Sequence, residues 1–255
     1  MNKLFVFDLD DTLIDNVHDY ADPILDSCRL IVRTLGNKAP HVSKIVAMEQ
    51  EIDKARIKEV NPDTGQPYLF SIERFPGSLV QTYLNICKHS GATPLSSIEM
   101  QLHDIGMQAF DKKRYLTNVN PHARAALSFL RDKGDHLVLC TKGDGKVQAK
   151  KVAALRKSGV DINCFDELLI VDNKDTQLFT AMKSGFGKDS AYSVGNSYQS
   201  DILPALNAGY MGIYIPVETW ESLGQMDELL AKVDKTKVLV LPTLEDLPKH
   251  YGELA

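Results

Sequence analysis

The chain reads as an α/β protein, a doubly wound parallel sheet (a Rossmann-like core) with an inserted α-helical domain. Three observations predict this class. A short apolar run, Leu4 to Phe7, ends abruptly in two acids, Asp8 and Asp10. Five more apolar runs follow residue 121, with helical patterns between them. The stretch between these regions carries helical periodicity alone. The division expected is a sheet domain of residues 1–15 and 118–255 and a helical cap of residues 16–117.

The first run is continuous rather than alternating, which suits a strand buried on both faces of a parallel sheet. In the insert, Tyr20, Ile24, Cys28, Ile31 and Leu35 recur at spacings of three and four. Ile45, Met48, Ile52 and Ala55 repeat the pattern. So do Val80, Tyr83, Leu84 and Cys87, and then Ile98, Leu102, Ile105 and Phe110. Four amphipathic helices in a small bundle are predicted. The breaks fall at Gly36 to Pro40, Asn61 to Pro67 and Gly91 to Pro94. Further strands are predicted at Leu137–Cys140, Leu168–Val171, Ala191–Val194, Gly212–Ile215 and Val238–Leu241. Helices are expected around Ala126 to Leu130, over Lys146 to Ser158, and over Ile202 to Ala208 with Gly209 as the C-cap residue.

Composition narrows the function classes. The chain has 255 residues, 44% hydrophobic and 25% charged, ordinary values for a globular protein. A net charge of −5 gives no support for nucleic-acid or membrane-surface binding. No stretch approaches the ~18 apolar residues of a membrane span. Leu4 to Phe7 is too short for a secretory signal. Cys28, Cys87, Cys140 and Cys164 are widely spaced and read as reduced thiols of a cytoplasmic protein. The seven histidines show no metal-ligand spacing. Trp220 has no evident role, and oligomeric state leaves no mark in the sequence.

The chemistry-bearing residues all follow predicted strands, at the carboxyl edge where open α/β sheets bind ligands. Asp8 and Asp10 leave the first strand with one residue between them. Two acids held close repel each other, and a divalent metal is the simplest compensation. Thr141 follows the second strand in Cys140-Thr-Lys-Gly-Asp-Gly145, where a hydroxyl, a glycine and a helix N-terminus suit a phosphate. Lys174 follows the third. Gly195-Asn-Ser197 and Asp201 follow the fourth, with Asn196 and Asp201 as candidate oxygen ligands. Each segment alone also reads as a turn, a helix cap or a solvated surface position.

In this order the segments resemble the motifs of the haloacid dehalogenase-like hydrolase superfamily. Asp8-Leu-Asp10-Asp-Thr12 matches its DxDx[TV] motif. Thr141 and Lys174 match its second and third motifs. Gly195 to Asp201 matches an acidic GDxxxxD motif, with Asn196 where an aspartate is usual. The long gap between Asp8 and Thr141 resembles members with a first-type helical cap, hinged near Ile14–Val17 and Thr117–Pro121.

The resemblance implies a Mg²⁺-dependent phosphomonoesterase acting on a small phosphorylated metabolite. Asp8 would be the nucleophile, forming an aspartyl-phosphate, and Asp10 the general acid and base, protonated at the start. Thr141 and Lys174 would hold the phosphoryl group, and Asp8, Asp10, Asn196 and Asp201 the metal; Lys142, directly after Thr141, is a further candidate to bind substrate. Asn196 removes a negative charge and implies a weaker grip on Mg²⁺. Asp10 argues against dehalogenation, whose branch generally lacks that acid. A phosphomutase and a non-catalytic phosphate-binding module are the alternatives. Arg74 and Phe75, in a break between cap helices, and Tyr68 and Phe70 beside them, are candidates to touch the leaving group.

Overall fold

A computed structural model describes residues 2–219, 224 and 226–254; Trp220 lies outside them. β1 (Leu4–Phe7) leads into α1 (Ala21–Leu35), α2 (Val42–Arg56), α3 (Arg74–Ser90) and α4 (Ser96–Met107). Then come α5 (Lys112–Thr117), α6 (Ala123–Asp132), β2 (His136–Lys142), α7 (Gly145–Lys157), β3 (Glu167–Val171) and α8 (Thr176–Phe186). The chain closes with β4 (Ala191–Gly195), α9 (Leu203–Asn207), β5 (Met211–Tyr214), α10 (Met226–Lys232), β6 (Val238–Val240) and α11 (Leu247–His250). It forms two compact units, one of Met1–Asn16 with Tyr115–Ala255, the other of Val17–Arg114.

The first unit is built on an all-parallel sheet of order β3-β2-β1-β4-β5-β6. β1 is central because both its faces are apolar. Phe5 and Phe7 join Leu137, Leu139, Tyr192 and Val194 on one face. Leu4 and Val6 join Val138, Cys140 and Phe179 on the other. Phe5 stacks on Tyr192 with ring centroids 5.0 Å apart. Each fully buried phenylalanine contributes roughly 2–3 kcal/mol by leaving water. α8 was not anticipated by the apolar pattern, yet its ends are marked. The Asp175 carboxylate accepts from Leu178 N, and Gly187 closes the helix at a left-handed φ of 60°. Among the described residues no helix is long and apolar enough to cross a membrane, and all four cysteines are free.

In the second unit the predicted stripes meet. Cys28 and Ile31 of α1, Ile45 of α2, Leu79, Tyr83 and Ile86 of α3, and Leu102 of α4 form its core. Gly106 lets α4 press onto α3, since a Cβ there would lie 2.6 Å from the Pro76 Cα. The start of α3 differs from expectation. Arg74 and Phe75 form its first turn rather than a break, and both are buried. Arg74 is tied to Asp53 at 3.1 Å.

Glu49 is 4% exposed and accepts a 2.9 Å hydrogen bond from Ser78 Oγ. Burial, with help from Asp53, pushes its carboxyl up to about 7 against the opposing pull of Ser78 and Arg74. A raised acid binds its proton more tightly folded than unfolded. Its stabilising contribution is therefore full below its ordinary value and is lost as pH rises through about 7. Glu49→Gln should unfold at nearly the wild-type temperature at about pH 5 and be more stable by on the order of 1–3 kcal/mol at about pH 8. Thermal unfolding followed by circular dichroism at both pH values checks this, and equal melting of the two proteins at about pH 8 refutes it.

Candidate active site

Phe7 lies opposite Leu139 and Val194, so β1, β2 and β4 deliver their next residues to one edge. The ladder runs on to Asp8, whose N–H donates to the Val194 carbonyl at 2.9 Å. Asp8, Thr141, Lys174, Asn196 and Asp201 are all at most 8% exposed.

Lys174 organises three of these segments. Its Nζ donates to Asp8 Oδ1 at 2.5 Å and to Asp201 Oδ1 at 2.7 Å. The second Asp201 oxygen accepts from Ser197 N at 2.9 Å, and Ser197 Oγ accepts from Ser200 N at 3.2 Å. Tyr198–Ile202 thus forms a π-type turn ahead of α9, shorter than the helix expected from Ile202. Gly195 is required there, because a Cβ at that position would lie 2.4–2.5 Å from the Asp201 side chain.

Burial raises the Asp8 carboxyl; Lys174 opposes this while Asp201 and Asp10 add to it, leaving it pushed up to about 7. Burial alone would lower Lys174, but Asp201 and Asp8 outweigh it, and the ammonium is raised well above its ordinary value. The lysine is therefore the fixed charge of the group.

Asp10 has different partners. Lys151 Nζ donates to its Oδ1 at 2.6 Å and Gln148 Nε2 to its Oδ2 at 2.8 Å. Lys151 also donates to Asn16 Oδ1 at 2.9 Å. Gly143, at φ 143°, makes room, since a Cβ there would lie 2.6 Å from Gln148 Nε2. Sequence reasoning missed Gln148, Lys151 and Asn16. The signal was present: Val147, Lys151 and Leu155 fall on one buried stripe of α7, where an apolar residue is the usual occupant.

The Thr141 hydroxyl lies 3.4 Å from the Lys142 carbonyl. Lys142 Nζ donates to Ser200 Oγ at 2.7 Å, joining the second and fourth segments. The α7 N-terminus differs from the expected phosphate cradle. Asp144 caps it, accepting from Lys146 N and Val147 N, so those amides are taken. The expected hinge segments are braced together by Ile14 pairing with Val119 and by Asp15 N donating to the Asn118 carbonyl at 2.8 Å.

A divalent cation needs hard oxygen donors. Asp8, the Asn196 amide and Asp201 supply them and are buried together at the strand exits, although Lys174 holds one oxygen of each acid. Among the described residues no group of three or more His, Cys, Asp or Glu side chains is arranged to hold a metal. The donor set is thus suited to an ion in chemistry and carries one amide in place of a carboxylate.

No protein-family model matches the sequence, and no curated protein matches it. Solved structures do. A haloacid dehalogenase-like family hydrolase from Xanthomonas campestris superposes with a TM-score of 0.68 at 20% identity, over 99% of this chain and 96% of that one. The fold is that of the haloacid dehalogenase-like hydrolases. A predicted phosphoglycolate phosphatase from Haemophilus somnus matches at 0.54 and 18% identity, over 98% of both chains. A protein described as a HAD-hydrolase from Bacillus subtilis, bound to magnesium, matches at 0.53 and 16%, over 99% of this chain and 98% of that one. Haloacid dehalogenases from Pseudomonas syringae and Xanthobacter autotrophicus share the fold as well. Fold likeness at this identity leaves the reaction to be argued from the site.

Gly195→Ala should push Asp201 off Lys174 and destabilise the protein by about 1–3 kcal/mol. Denaturant unfolding measures this; an unchanged midpoint means that Asp201 is not held against the Gly195 backbone.

Proposed function

We propose that the chain is a phosphomonoester hydrolase acting through an aspartyl-phosphate on Asp8, with a small phosphorylated metabolite as substrate. The observation that carries this reading is the pair of separately partnered acids: Asp8 on Lys174, and Asp10 on Lys151 and Gln148. Transfer from oxygen to oxygen needs a nucleophile and a distinct proton carrier. Displacement of a halide needs the nucleophile but no leaving-group proton, so Asp10 favours phosphate esters over haloacids.

In the first step an Asp8 oxygen forms a bond to phosphorus while the bond to the ester oxygen breaks. Asp10, entering the step as the carboxylic acid, gives its proton to the departing oxygen and is left as the carboxylate. In the second step water attacks the same phosphorus, Asp10 takes a proton from it, and the Asp8–phosphorus bond breaks to release inorganic phosphate. Lys174 holds Asp8 in place and keeps a positive charge beside it. Thr141 donates its hydroxyl to the phosphoryl oxygens and Lys142 brings a second ammonium. Preorganised charge of this kind is the main source of catalysis in phosphoryl transfer.

Mg²⁺, when bound, would supply charge neutralisation between the nucleophile and the phosphoryl group. Asp8, Asn196 and Asp201 are the residues that would hold it. The Asp10 carboxylate, facing Lys151 and Gln148, serves proton transfer in this reading rather than the metal. Magnesium in the Bacillus subtilis structure supports the choice of ion.

Phosphate release from 4-nitrophenyl phosphate with Mg²⁺ tests the reaction. The wild type should turn over, and Asp8→Asn should fall by about 10³-fold or more. Asn196→Asp should lower the half-activating Mg²⁺ concentration by about tenfold, the effect of one added charge. Halide release from 2-chloropropionate without phosphatase activity would overturn the proposal.

A further inference from the structure

Lys151 is 3% exposed, on the buried face of α7 between Val147 and Leu155. Burying an ammonium is costly unless it is paired. Here the pair is with Asp10, and Asn16 Oδ1 accepts from the same Nζ. The Tyr115 ring covers it from 5.5 Å.

Gln148 sits one turn earlier on α7. Its Nε2 serves two acceptors, Asp10 Oδ2 at 2.8 Å and the Lys142 carbonyl at 2.6 Å. That orientation leaves Gln148 Oε1 buried with no partner among the described residues. Leaving a buried carbonyl oxygen unmatched is costly. The amide is thus turned toward Asp10 at the expense of its own oxygen. Two positions three apart on one helix face grip the two oxygens of one carboxylate.

Resting on the phosphatase reading above, we propose that Lys151 and Gln148 are positioning residues for Asp10, setting its carboxylate for proton transfer. Neither touches the reacting phosphorus. Their loss should matter in proportion to how much a substrate needs its leaving oxygen protonated. An alkyl phosphate, with a strongly basic leaving oxygen, depends on Asp10 heavily. 4-Nitrophenyl phosphate depends on it little.

The experiment compares kcat on an alkyl phosphate, glycerol 3-phosphate or the best ester in a screen, with kcat on 4-nitrophenyl phosphate. In Lys151→Met the alkyl-to-aryl ratio should fall by about tenfold or more, with KM little changed. Gln148→Leu should shift the ratio in the same direction, and Lys151→Arg should restore part of it. Lys150→Met, an exposed neighbour, should leave the ratio unchanged. In an Asp10→Asn background, Lys151→Met should add no further loss, because its effect passes through Asp10.

A wild type that hydrolyses both esters, with the ratio within about twofold in Lys151→Met and Gln148→Leu, overturns the positioning role and leaves the phosphatase reading intact. A merely structural role gives that same result, since both substrates then fall together. If Lys151→Met does not fold, Gln148→Leu and Lys151→Arg decide by the same ratio. A wild type that releases phosphate from neither ester defeats the reaction and this role together.

Discussion

Buried beneath the strand exits, one ammonium is shared by two carboxylates, Lys174 between Asp8 and Asp201. The group holds one more acid than base. In a low-dielectric interior that imbalance is relieved by a proton or by a further cation. It raises Asp8 toward neutrality while it anchors Lys174 as a charge. Much of the local architecture serves the arrangement. Gly195 has no side chain because Asp201 lies against it. The turn over Tyr198–Ile202 ties the second Asp201 oxygen to Ser197 N. β1, apolar on both faces and so central in the sheet, delivers Asp8 to this group.

The proposed division of labour between the two acids follows from their partners. Asp8 is buried against a lysine that also holds Asp201, an environment that fixes a nucleophile and balances its charge. Asp10 is more open and is gripped from α7 by Lys151 and Gln148. Asn196 fits the same economy of charge. An amide there adds an oxygen without a further negative charge to a site that already has an acid in excess.

Most of the fold was legible because the apolar runs were unambiguous. Continuous runs marked strands buried on both faces, and spacings of three and four marked the bundle helices. What the sequence hid depended on tertiary partners. α8 buries Phe179 and Met182 and was passed over, although Asp175 and Gly187 mark its ends. The pairing of Lys151 with Asp10 spans 141 positions, so only folding reveals it. The helix N-terminus after Thr141 was read as suited to a phosphate, yet the Asp144 carboxylate caps it. Arg74 was expected in a break between cap helices; Asp53 on α2 makes its burial tolerable. The strand-end acids, hydroxyl and lysine stood out through their order at four successive strand ends, since each alone has an ordinary structural reading.

The central claim is that Asp8, held by Lys174, takes the phosphoryl group itself. Borohydride reduction of a rapidly quenched reaction, followed by peptide mass spectrometry, tests it most directly, because an acyl phosphate is reduced where a free carboxylate is not. The account predicts conversion of Asp8 to homoserine only when a phosphate ester is present, and none in Lys174→Met. Phosphate release with position 8 unmodified, or reduction at Asp10 or Asp201 instead, would contradict it.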